Sequence, residues 1–184
     1  KTFNNFLGYT NAETKDMLMF FLRNPNENLL MISGDSGVGK THLLHASCHL
    51  YQEQGMDASF TSFTHPTDIE ALLNKRLAGS LLCIDNIDLS PGLPDLEKLL
   101  FRLYNHVELE GCKMILGMNK GPVFTRKDLE SRVSSMLSFK LLPYAPEEIL
   151  NILLEYLHQS QSSMSPEICK MLIKEHSRSI SKLI

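Results

Sequence analysis

The chain of 184 residues has no tryptophan, only four cysteines and no apolar run long enough to span a bilayer. The missing apolar run excludes a membrane-spanning helix, and no signal-peptide pattern opens the chain. Cys48, Cys83, Cys112 and Cys169 lie too far apart for a zinc pattern. Two of them fall within apolar runs, which suits reduced, buried thiols in a cytosolic protein. An excess of positive charge is lacking too: 18 Lys and Arg stand against 21 Asp and Glu, for a net charge of −3. That balance, without a basic stripe, argues against bulk electrostatic binding of DNA. Internal repeats and low-complexity tracts are absent. The chain opens on Lys1 and ends within a helical pattern, which reads as an excerpt of something longer.

What remains is an ordinary globular composition, 43% hydrophobic and 21% charged. The length suits one domain, or one domain with a small appendage. Its organising stretch is Gly34-Asp35-Ser36-Gly37-Val38-Gly39-Lys40-Thr41, which fits G-x-x-x-x-G-K-[ST]. The apolar run Leu29-Leu30-Met31-Ile32-Ser33 before it reads as a buried strand, and Thr41 to Gln54 after it has helical spacing. Strand, glycine loop and helix form the context that gives the pattern meaning. Glycines let successive N–H groups turn toward one anion, and the helix start adds partial positive charge. Lys40 is then the cation for the β- and γ-phosphates, and the Thr41 hydroxyl is placed for Mg²⁺.

Along the chain, Asn11 is the expected cap of a helix running to about Arg23. A second strand is expected at Ala58 to Phe63 and a short helix from Pro66 to Leu77. Leu81-Leu82-Cys83-Ile84-Asp85 is four apolar residues ending in an acid, the companion of a phosphate loop. A strand buried on both faces would carry Asp85 out at its C-terminal end, beside Thr41 and the metal. A helix over Asp95 to Glu110, a strand over Lys113 to Met118, a helix over Lys127 to Ser131 and a strand over Phe139 to Leu142 follow. From Pro146 the pattern is helical only: Glu147 to Gln159, Pro166 to His176 and a start at Ser179. The reading is α/β: a five-stranded parallel sheet flanked by helices (residues 1–143) with a small, incomplete helical lid (residues 144–184).

Thr2-Phe3-x-x-Phe6 with Asn11, followed by Gly39-Lys40-Thr41-His42-Leu43-Leu44-His45, resembles the AAA+ module of the DnaA family. Cys83-Ile84-Asp85-Asn86-Ile87, Leu103-Tyr104-Asn105, and Ser131-Arg132-Val133 leading to Lys140-Leu141-x-Pro143 are similar to its regulatory-inactivator branch, Hda. The Asp-Asn pair is the most specific of these, because initiators usually carry two acids there. The resemblance implies a P-loop NTPase fold that binds ATP or ADP with Mg²⁺. It implies phosphate contacts at Gly34, Asp35, Ser36, Gly37, Val38, Gly39, Lys40, Thr41 and His42, with Thr41 and Asp85 at the metal. It places Leu7, Gly8 and Asn11 over the base, Asn119 as the sensor near the γ-phosphate, and Arg132 as an arginine finger for a neighbouring subunit. Ser181 stands where the family has a sensor II arginine, and Arg178, three residues earlier on the same helical face, is the expected substitute. Implied partners are a DnaA-type AAA+ domain, the DNA sliding clamp through a segment outside this chain, and a second copy as a homodimer, in the cytoplasm at the nucleoid.

Two other functional classes stay open. An initiator or helicase loader acting on origin DNA would need a basic helix-turn-helix, which lies nowhere in these residues. A small-molecule kinase would need arginines to clamp a second phosphate, and residues 86–131 hold only Arg102 and Arg126. His42, His45 and His49 have metal-ligand spacing on one helix but no carboxylate or cysteine partner nearby. A metal site is not expected there. Glu147 and Glu148 read as first-turn acids that compensate a helix dipole.

Overall fold

The computed structural model describes residues 1–121, 123–162 and 164–175. Helix α1 (Ala12–Arg23) precedes β1 (Leu29–Ser33), and α2 (Lys40–Glu53) leads to β2 (Ala58–Ser62). After α3 (Pro66–Leu72) come β3 (Leu81–Asp85), a 3₁₀ turn (Ile87–Leu89), α4 (Pro94–Glu110) and β4 (Lys113–Met118). Then α5 (Lys127–Ser134), β5 (Leu137–Lys140), α6 (Pro146–Gln159) and α7 (Pro166–Glu175) complete the order. The five strands form one parallel sheet in the order β2-β3-β4-β1-β5. Both faces are covered, which parallel sheets require because every crossover lays a helix on a face. Among the described residues, no helix is long and apolar enough to cross a membrane.

Strand alternation divides the core. Leu30, Ile32, Leu81, Cys83 and Ile115 meet α1 and α2 on one face; Met31, Leu82, Ile84, Met114 and Leu116 meet α3, α4 and α5 on the other. Every residue of β3 and β4 is buried, so the near-continuous apolar runs are the signature of central strands. A third cluster joins Tyr144, Ile149 and Ile152 of the lid to Leu7 of the N-terminal segment that precedes α1 (residues 1–11, the strap).

The largest differences from the sequence reading fall at three elements. Strand β5 starts two residues earlier than Phe139, because pairing with β1 sets it and its residues are mostly exposed. Leu141, read as strand interior, instead sits just beyond it, buried, with its N–H on the Ser33 carbonyl. Helix α5 extends to Ser134, as Leu129 and Val133 bury one face and override the weak helix preference of the serines. Helix α3 ends at Leu72 rather than Leu77.

Candidate functional site

The site gathers at the C-terminal ends of β1, β3 and β4, where a parallel sheet presents loops and helix N-termini. Gly39 holds φ +109° at the N-cap of α2, and a Cβ there would lie 2.6 Å from Phe6 Cε2. Only glycine satisfies both the turn and the close approach of the strap. Helix α2 thus begins at Lys40 with its N-terminal dipole toward the loop.

Lys40 is largely buried, and its Nζ donates to the carbonyls of Gly34 at 2.7 Å and Asp35 at 2.8 Å. It also donates to Asn119 Oδ1 at 2.9 Å. Burial lowers the Lys40 pKa, while Asp85, Asp88 and Asp35 pull it back up. The Thr41 hydroxyl donates to Asp85 Oδ2, so two hard oxygens stand side by side where a divalent cation would be taken up. Gly117 of β4 makes room for Asp85: a Cβ there would come within 2.7 Å of Oδ1. Thus Lys40, Thr41, Asp85 and Asn119, expected to act together, do converge.

Other expected residues serve differently. Val38 is buried in the core, whereas Asp35 and Ser36 project outward. Asn11 sits at the N-cap position of α1 but makes no side-chain cap. Its amide pairs instead with both backbone groups of Leu142, accepting from the N–H at 2.8 Å and donating to the carbonyl at 3.0 Å. Buried and doubly engaged, the Asn11 side chain is a clasp between the strap and the segment after β5. His42 bonds the Thr2 carbonyl through Nε2 at 2.9 Å and meets the Phe6 ring edge-on. Burial lowers its pKa, and through these contacts the ring props the strap against α2. His45 stacks on Phe60, and His49 lies 3.4 Å from Glu53. Arg178 and Ser181 lie outside the described residues.

Arg132 lies away from Lys40. Its guanidinium donates to Asn105 Oδ1 at 2.5 Å and Glu108 Oε2 at 3.2 Å and stacks over Phe101 and Tyr104. Asn105 and Glu108 belong to the C-terminal half of α4, which descends from the end of β3 to the start of β4. Arg132 is thus held on the α4 surface, and none of its hydrogen bonds goes to its own phosphate loop.

Three residues escaped the sequence reading. Asp88 accepts from the Asn119 N–H at 3.1 Å and from Asn119 Nδ2 at 2.7 Å, which turns Oδ1 toward Lys40. Ser62, at the end of β2, accepts from Asn86 Nδ2 at 2.9 Å. Asn86 itself has φ +58°, a conformation asparagine tolerates better than most residues. Glu148 is buried and accepts from the strap. Asp88 and Ser62 had no periodic signal, and only an acid three residues past Asp85 hinted at the first.

No protein-family model matches the chain. It is 25% identical over 206 aligned residues to the chromosomal replication initiator protein DnaA of Bacteroides thetaiotaomicron, covering 98% of this chain and 43% of the relative. The chain thus spans less than half the length of that relative. Domain III of the Thermotoga maritima replication initiation protein DnaA superposes with a TM-score of 0.83 at 22% identity, covering 99% of this chain and 83% of the other. A replication initiator DnaA bound to AMPPCP and single-stranded DNA gives 0.80 at 21% identity, covering 99% and 61%. A Thermotoga maritima RuvB mutant gives 0.70 at 20% identity, covering 98% and 62%. With phosphate loop, strand-end acid and sheet order together, the fold is that of an AAA+ P-loop module of the DnaA type.

Proposed function

We propose that the chain is a nucleotide-binding AAA+ regulator that lends Arg132 to an ATP-bound DnaA-type initiator, stimulates hydrolysis there and so limits re-initiation of replication. The observation that carries this reading is the contrast at the end of β3. Lys40, Thr41, Asp85 and Asn119 form a phosphate grip, while position 86 offers an amide bonded to Ser62 and no carboxylate. An amide cannot take a proton from attacking water, so the site grips nucleotide better than it turns it over. ATP or ADP is the proposed ligand, with Mg²⁺ held by Thr41 and Asp85, where it would neutralise phosphate charge. The proposed division is a nucleotide-binding part, residues 1–143, and an incomplete lid, residues 144–184, of which 176–184 lie outside the described residues. The similarity to the Bacteroides initiator supports a place in replication.

Arg132, half exposed on the α4–α5 surface and remote from its own loop, suits an arginine finger acting on a neighbour's ATP. A DnaA-type AAA+ domain is the proposed recipient, with the sliding clamp reached through a segment outside this chain and a homodimer as the self-associated form. A second reading, an initiator or helicase loader acting on origin DNA, is favoured by the likeness to a DnaA solved with single-stranded DNA. The test mixes the full-length protein, clamp-loaded DNA and ATP-bound DnaA and follows conversion to ADP. Under our reading the wild type stimulates conversion and Arg132→Ala does not, a loss on the order of 10³-fold for a finger. Equal stimulation by both overturns the assignment, and tight origin binding without stimulation favours the second reading.

A further inference from the structure

The N-terminal strap is tied at two ends to different parts of the molecule. Near Phe6 it lies on the start of α2, with Phe6 against Gly39 and Thr2 against His42. Two residues further on it belongs to the lid. Gly8 has φ +98°, and a Cβ there would lie 2.8 Å from Glu148 Oε1, 2.8 Å from Tyr144 Cε1 and 2.9 Å from Ile152 Cδ1. The turn it permits aims consecutive backbone donors at one oxygen: Tyr9 N–H reaches Glu148 Oε1 at 2.5 Å and Thr10 N–H at 2.8 Å. The Thr10 hydroxyl bonds the other carboxylate oxygen. Successive N–H groups converging in this way make an anion-binding nest. Here the anion is a side chain, 1% exposed, from the first turn of α6.

We infer that Glu148 is a positioning residue for nucleotide-base recognition: its carboxylate fills the nest of residues 9 and 10 and fixes the backbone of Leu7 and Gly8 against the lid. This rests on the proposed nucleotide site, with the phosphates at residues 34–41 and the base, as the family resemblance implies for Leu7 and Gly8, against the strap that packs on the start of α2. A dipole-compensating acid would sit in water at the helix end; burial and three donors assign this one to the strap. Hydrogen bonds to a charged group are the stronger kind, and removing the acceptor leaves three part-buried donors unpaired. The strap would then lose its register over the base while the phosphate loop, held by Lys40 and α2, keeps its own.

The two halves of the site can be read separately by comparing ADP with inorganic tripolyphosphate, which has no base. Calorimetry on the wild type, Glu148→Ala, Glu148→Gln and Lys40→Ala, with folding checked by circular dichroism, gives the contrast. Glu148→Ala is expected to weaken ADP about tenfold or more and tripolyphosphate less than about twofold. Glu148→Gln, which keeps an acceptor oxygen for the backbone donors, should fall between. If Glu148→Ala leaves ADP affinity unchanged, or lowers both ligands equally, the inference is overturned. Failure of the nucleotide reading looks different: the wild type binds neither ligand, or Lys40→Ala binds both as well as the wild type does, and then both proposals fall.

Discussion

Lys40 Nζ and Asn119 Oδ1 lie 2.9 Å apart, joining the phosphate loop to the end of β4 across 79 residues of sequence. Asp88 completes the arrangement by accepting from the backbone N–H and from Nδ2 of Asn119, so the amide has one orientation only. A phosphate entering the loop would exchange the Gly34 and Asp35 carbonyls for its own oxygens as partners of the ammonium.

Lys40→Ala should therefore abolish tight binding of adenine nucleotide. It removes a buried cation while keeping a good helix former at the start of α2. Charge-assisted bonds are worth about 1.5–3 kcal/mol each, so a loss on the order of 100-fold in ADP affinity is expected. Titration calorimetry measures it. Unchanged affinity would place the ligand elsewhere.

Turnover by the isolated protein should be very slow, because Asn86 faces Ser62 and cannot act as a base. Restoring an acid as Asn86→Asp should raise steady-state hydrolysis, up to a ceiling of about 10²- to 10⁴-fold for well-placed general-base assistance. Aspartate is preferable to glutamate here because it tolerates the positive φ more readily. Brisk phosphate release by the wild type would contradict the regulator reading.

Glu97 of α4 has a structural task that predicts a pH dependence. It is fully buried and accepts from the N–H groups of Gly92, Thr125 and Arg126, each at 2.9 Å. Burial alone would push its pKa up, but those N–H donors hold it below the usual carboxylate value. A lowered folded-state pKa means that its stabilisation is complete above the unfolded value of about 4.3 and is lost as pH falls through the folded one. Glu97→Gln should cost about 1–3 kcal/mol at neutral pH and flatten the acid side of the stability curve. Urea unfolding between pH 3 and 7 tests both parts; parallel curves for variant and wild type would refute them.

Much of this protein was legible in its sequence because the determining signals are local. The glycine loop between an apolar strand and a helix, the acid at the end of β3, and the strand at Lys113–Met118 each depend on residues within one element. Periodicity and backbone freedom act at that range, so the parallel α/β sheet and its glycine loop could be read before any tertiary contact was known.

Only the folded chain decided which distant groups meet. Asn11 is read locally as a helix cap, yet its amide closes on Leu142, 131 residues away, because that amide is itself buried and must find partners. Glu148 looks like any first-turn acid until the lid folds back over Thr10, 138 residues earlier. Asp88 and Ser62 acquire their tasks from the order β2-β3-β4, which brings two strand ends to either side of Asp85. Loop closure of this length leaves no periodic trace, since its cost varies only slowly with separation. Which buried polar atom satisfies which other was therefore settled by packing, whereas the phosphate loop was determined by its own eight residues.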